Sequence, residues 1–291
     1  SAKVAFLIGG SLLVGMTAGF IAYSTSRGSA PATSPKVSGS NPAAKGSTAG
    51  PGNPRGKKTV LTLMPGTSFE TQVHVMSSGG PSTGDASVFV LGGVHGDEPT
   101  GRLSAERLLN ARVASGTLVV CPDANRVASM NRTRKGTKDL NRSFPGLAES
   151  ANEDRLAYEI FELLQQKKPS VVLTYHVSPG FHLQDPAMYG QTVIFDEPGT
   201  RALADQVVNE INQGISVPVQ KYTVLIEPIP TSATFEIYYR LGIPAYGIEV
   251  AEPLGEEQGE WCHLMVTRAF CEKVGVSVSN WNEILRPREP L

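Results

Sequence analysis

The chain has 291 residues, a formal net charge of −1 and 18% charged side chains, against about a quarter in an ordinary globular protein. That balance carries none of the electrostatic footprint of a nucleic-acid binder. The three cysteines, Cys121, Cys262 and Cys271, form no CxxC pair and argue against a thiolate zinc site or a disulfide scaffold.

Val4–Tyr23 (VAFLIGGSLLVGMTAGFIAY) runs for about twenty residues without a charge, long enough to span a bilayer as a helix. Residues 1–27 therefore read as an N-terminal transmembrane anchor. The small residues around Ser29-Ala30-Pro31-Ala32 keep a cleaved signal peptide as the alternative, but the apolar run is longer than a usual signal core. Residues 28–58 are rich in Gly, Ser, Pro, Ala and Thr and nearly lack large apolar side chains. Such a segment cannot bury enough surface to offset its ordering entropy and reads as a flexible linker. Residues 59–291 are expected to form one domain, carried outside the cytoplasm at the periplasm or cell surface.

Within that domain, Thr59–Leu63 and Glu70–Met76 flank Pro65-Gly66 and predict two strands joined by a turn. Ser87–Gly93, Thr117–Cys121, Val171–Tyr175, Thr192–Phe195 and Tyr246–Val250 are short apolar runs of the kind found in buried strands. Helical patterns lie between them at Thr100–Asn110, Asn152–Gln166, Thr200–Asn212, Ser232–Leu241 and Glu256–Lys273. This alternation predicts an α/β fold with a mixed, largely parallel central sheet flanked by helices.

The first chemical signal is GGVHGDEPTG, residues 92–101, between a strand and a helix. Ligands in open α/β sheets gather at the carboxyl ends of strands. His95 and Glu98 are three residues apart on a glycine-rich loop, so one turn can aim both at one ion, and an imidazole with a carboxylate suits zinc. A catalytic zinc needs a third protein ligand and an open position. Among the five histidines, His176 closes the apolar run VVLTYH at a strand's carboxyl end and is the best third ligand. His182, in the following loop, is the competing third ligand, but it reads better as a contact to substrate or to a ligand. His74 and His263 read as ordinary strand and helix residues.

The second signal is KDLNRSFPG, residues 138–146. The planar fork of Arg142 can grip a carboxylate beside Asn141, and Arg134, eight residues earlier, can stabilise an oxyanion. A solvated basic loop is the equal alternative, because Arg126, Arg132, Lys135 and Lys138 crowd here as well. The third signal is Glu249 in PAYGIEVAEP. A carboxylate within an apolar strand is costly unless paired or functional. With a metal at the strand ends, it reads as a general base.

These motifs, HGDE, DLNRSFPG, His176 and GIEV, occur in the order seen in the succinylglutamate desuccinylase/aspartoacylase family of the zinc carboxypeptidase superfamily, which the sequence resembles over Val88 to Glu252. The resemblance implies one zinc per chain on His95, Glu98 and His176, a substrate carboxylate on Asn141 and Arg142, a carbonyl polarised by Arg134, and water activated by Glu249. Two features depart from the family pattern. Thr174-Tyr175 stands before His176 where Asp-Leu is usual, and Val177 follows it where the bacterial branch carries an acid. The mostly helical reading after Glu249 also lacks the β-domain that narrows the aspartoacylase pocket.

The expected activity is therefore zinc-dependent amide hydrolysis of a small-molecule or peptide substrate with a free carboxylate. A carboxypeptidase or amidase acting on a larger peptide, such as one from the cell wall, comes first. An N-acyl amino acid deacylase is the second reading. A non-catalytic binding module on the same fold is the rival from another class.

Overall fold

The computed structural model describes residues 56–78 and 86–287. The anchor expected at Val4–Tyr23 and most of the expected linker lie outside these residues. Among the described residues, no helix is long and apolar enough to cross a membrane.

Strands β1 (Lys57–Leu63) and β2 (Thr71–Ser77) form the expected antiparallel hairpin. The first strand starts at Lys57, inside the segment assigned to the linker, because Lys57 and Lys58 pair with Ser77 and Met76. The chain continues through β3 (Ser87–Leu91), α1 (Pro99–Leu108), β4 (Val113–Ser115), β5 (Thr117–Cys121), α2 (Arg126–Asn131), α3 (Glu153–Lys167) and β6 (Val171–Ser178). It ends with β7 (Thr192–Phe195), α4 (Arg201–Ile211), β8 (Thr223–Ile226), α5 (Ala233–Leu241), β9 (Ala245–Ala251), α6 (Gly255–Val274), β10 (Ser277–Val278) and α7 (Trp281–Ile284).

The main sheet has the order β1-β2-β5-β3-β6-β9-β7-β8. Its centre, β5-β3-β6-β9, is parallel, so the carboxyl ends of these strands share one rim. Strand β7 runs antiparallel to β9 and parallel to β8. Strands β4 and β10 pair separately.

The strand pattern sets the two faces. In β3, Val88 and Val90 enter one core with Leu118, Leu173, Ile248 and Leu264, while Phe89 and Leu91 enter the other with Val119, Val172, Leu156 and Ile160. This period-2 alternation leaves both faces apolar, so helices must cover both. Helices α1, α4 and α6 contribute to the first core, and α3 and α5 to the second. Burying each such aliphatic side chain contributes about 1.5–3 kcal/mol. Asn152 starts α3 by accepting the N–H of Asp154, and Ser232 starts α5 by accepting that of Phe235.

Candidate metal centre

The loop between β3 and α1 brings His95 and Glu98 to the carboxyl rim. Gly96 permits its course: a Cβ there would lie 2.0 Å from the Ala128 carbonyl carbon. Glu98 is the N-cap residue of α1 but makes no side-chain cap. Its carboxylate turns instead toward the rim, where Oε2 accepts the N–H of Val177 at 3.0 Å. Strand β6 continues to Ser178, so His176 lies within it rather than at its end.

His95 Nδ1 lies 2.7 Å from Glu98 Oε1 and 3.2 Å from His176 Nδ1, which is itself 3.2 Å from Glu98 Oε2. All three side chains are buried, and their candidate ligand atoms fall within 4.8 Å of one another. Two imidazole nitrogens and a carboxylate oxygen directed at one point fit zinc, which accepts this donor set with an open fourth position.

Electrostatics follows from this crowding. Burial opposes the charged form of His95, but hydrogen bonds to Asp139 and Glu98 outweigh it and raise the pKa to about 9. Burial also opposes ionisation of Glu98, yet the two imidazoles hold its carboxyl well below the usual range. His176 is pushed down, chiefly by burial.

Glu249 stands beside His176 as its register partner on β9, so both side chains leave the same face of the sheet. Burial, reinforced by the nearby Glu98 carboxylate, raises the Glu249 pKa to about 8. Arg134 reaches the centre from the loop after α2. It donates to Glu98 Oε1 and Asp139 Oδ2, each at 3.2 Å. Asn141 sits in a short 3-10 turn, Leu140–Arg142. Its Nδ2 lies 3.5 Å from His176 Nε2, and its Oδ1 accepts the N–H of Ala233 at the start of α5. Arg142 is exposed and donates to the Asn141 carbonyl.

Asp139 belongs to the site and was not singled out from the sequence. Its Oδ1 meets His95 Nε2 at 3.1 Å and accepts the N–H of Asn141 at 2.9 Å. A carboxylate behind a ligand imidazole fixes the ring's orientation and raises its basicity. The available signal was its place inside DLNR, immediately before Leu140-Asn141.

The other histidines stay out of the triad. His182 Nδ1 meets the Met188 carbonyl, and His74 lies in β2. His263 is fully buried on α6, where Nε2 approaches the carbonyls of His176 and Ile248 at 3.2 and 3.3 Å. The three cysteines are free and buried.

Beside the triad, a cleft of about 550 Å³ opens between the first turns of α1 and α6 and the ends of β6 and β9. Asp97, Glu98, Glu252 and Glu256 line it with Arg134 as the cation, while Asn141 and Arg142 lie outside its lining.

Comparison with known proteins follows the same lines. Residues 85–175 match the model of the succinylglutamate desuccinylase/aspartoacylase catalytic domain. No curated protein matches the chain. Among solved structures, the mDAP-bound Csd4 of Helicobacter pylori, a D,L-carboxypeptidase, superposes with a TM-score of 0.61 at 20% identity, over 68% of this chain and 54% of that one. An aspartoacylase family protein from Mesorhizobium loti gives 0.55 at 19% identity, over 77% and 68%. A succinylglutamate desuccinylase from Silicibacter gives 0.57 at 16% identity, over 72% and 62%. At these identities the likeness is one of fold, and the chain spans little more than half of Csd4.

Proposed function

From the match of residues 85–175 to the succinylglutamate desuccinylase/aspartoacylase catalytic-domain model, we propose that the chain is a zinc-dependent amide hydrolase of the carboxypeptidase type. The observation that carries the reading is the buried convergence of His95, Glu98 and His176 beside Glu249.

Zinc held by these three residues would supply Lewis acidity at the scissile carbonyl and bring the pKa of water toward about 7. Glu249 takes the proton from the attacking water and returns it to the departing amine. Arg134 stands within reach of the same point and stabilises the developing oxyanion. Asn141 and Arg142 hold the substrate carboxylate beside the bond to be cut, and Asp139 fixes the ring of His95.

The cleft favours a peptide over a succinylated amino acid. Asp97, Glu252 and Glu256 would repel an anionic acyl arm. A neutral or amine-bearing peptide meets no such repulsion. We further propose that the domain works outside the cytoplasm, supported by the uncharged Val4–Tyr23 run and the Gly/Ser/Pro-rich segment behind it.

The test is zinc content together with hydrolysis of a panel: peptides ending in diaminopimelate, other short peptides, and N-succinyl and N-acetyl amino acids. About one zinc per chain, lost with activity in His176→Ala, is the expected result. A folded wild-type protein that takes up no zinc and cleaves nothing would favour the binding module.

A further inference from the structure

Gln191 precedes β7 and is buried, yet its backbone is left-handed at φ 64°. L side chains other than Asn and Asp rarely adopt that conformation, and it persists only where surrounding contacts demand it. The contacts here converge on the strand that carries Glu249. The N–H of Gln191 donates to the Glu249 carbonyl at 3.0 Å, and its Oε1 accepts the Ala251 N–H at 3.0 Å.

This arrangement continues the antiparallel ladder by other means. Thr192 pairs with Glu249, and a regular strand would supply its next acceptor from the backbone before it. That backbone has turned away: the Gly190 carbonyl accepts the N–H of His182 at 2.9 Å. The side-chain amide of Gln191 takes its place. Its other end is fixed, because Nε2 donates to Cys262 Sγ at 3.6 Å on α6.

We propose that Gln191 is a positioning residue for Glu249, holding the two peptide groups that follow the base so that its carboxylate stays aimed beside His176. The inference rests on the hydrolase reading above. A glycine would adopt the left-handed turn without strain but could not reach Ala251. The presence of glutamine at this position marks the side chain's work on β9.

The experiment compares the full chain with Gln191→Met, which keeps the length but removes the acceptor, and Gln191→Gly, which relieves the backbone and also removes it. Zinc content, melting temperature, kcat and KM are measured with the panel substrate that the wild type cleaves fastest, and Glu249→Gln is the control. We expect both variants to keep their zinc and a KM within about twofold of wild type, while kcat falls at least tenfold. Gln191→Gly should melt no lower than Gln191→Met and still be slow. Either variant, folded and zinc-loaded, with kcat within twofold of wild type would overturn the proposal, as would a loss confined to KM or to zinc content. If Gln191→Met fails to fold, Gln191→Gly decides by the same criterion. An inert wild type, indistinguishable from Glu249→Gln across the panel, would overturn the hydrolase reading and this proposal with it.

Discussion

Asp139 touches His95 on the ring nitrogen away from the triad, so its charge can be removed without altering a ligand. Asp139→Asn should weaken zinc binding by about 10–100-fold, measured by competition with a chelator. Glu249→Gln should do the opposite: zinc is retained, and kcat falls by about 10²–10⁴. The same substitution reports on stability. Glu249 has a folded pKa near 8, above the ordinary 4.5, so between those values the folded metal-free protein holds a proton that the unfolded chain has released. Stability must then fall as pH rises through this window, at up to about 1.4 kcal/mol per unit of pKa difference. His95, raised from 6.5 to about 9, adds a loss of the same sign across the upper part of the range. Urea unfolding of metal-free wild type and Glu249→Gln from pH 5 to 8 separates the two: the variant should gain over wild type as pH rises, and parallel curves would refute the shift.

At the scale of elements, the strands bearing the site were legible because apolar β-branched runs are buried on both faces. The helices were legible because caps such as Asn152 and Ser232 mark their starts. Strand direction was not legible: the alternation in Thr192–Phe195 is the same whether β7 runs with β9 or against it. The short β4 and β10 carry too few residues to show a period. Asp139 was hidden among basic neighbours, and Gln191 because a left-handed turn at a residue other than glycine leaves no compositional trace. His95, Glu98, His176 and Glu249 were readable because each polar side chain interrupts or follows an apolar strand. The loop carrying the first two also depends on Gly96 passing close to α2. Gly96→Ala should cost at least about 1–3 kcal/mol, as for an overpacked core, and weaken zinc binding too. An unchanged unfolding midpoint in urea would show that the loop gives way freely.

For the whole molecule, the triad links metal, protons and stability. Ligation requires neutral imidazoles, and metal-free His95 holds its proton up to about pH 9. Zinc affinity should therefore rise about tenfold per pH unit from 7 toward 9. Calorimetry in buffers of different ionisation enthalpy should show about one proton released at pH 7. Zinc at a hundred times its dissociation constant should stabilise the fold by about 2.7 kcal/mol, and His176→Ala should abolish the effect. His263, packed behind His176, governs the opposite end of the scale. Both partners of its Nε2 are carbonyls, which only accept, so the proton sits on Nε2, while Nδ1 lies 3.2 Å from the Ser104 hydroxyl, which donates to the Thr100 carbonyl. Burial keeps this ring neutral, with a pKa of about 4, whereas an unfolded chain takes up its proton at about 6.5. Acid between those values therefore favours the unfolded chain, so α6 carries an acid-sensitive group as well as its packing. In acidifying surroundings, the seam between α6 and the strands β6 and β9 would be weakened.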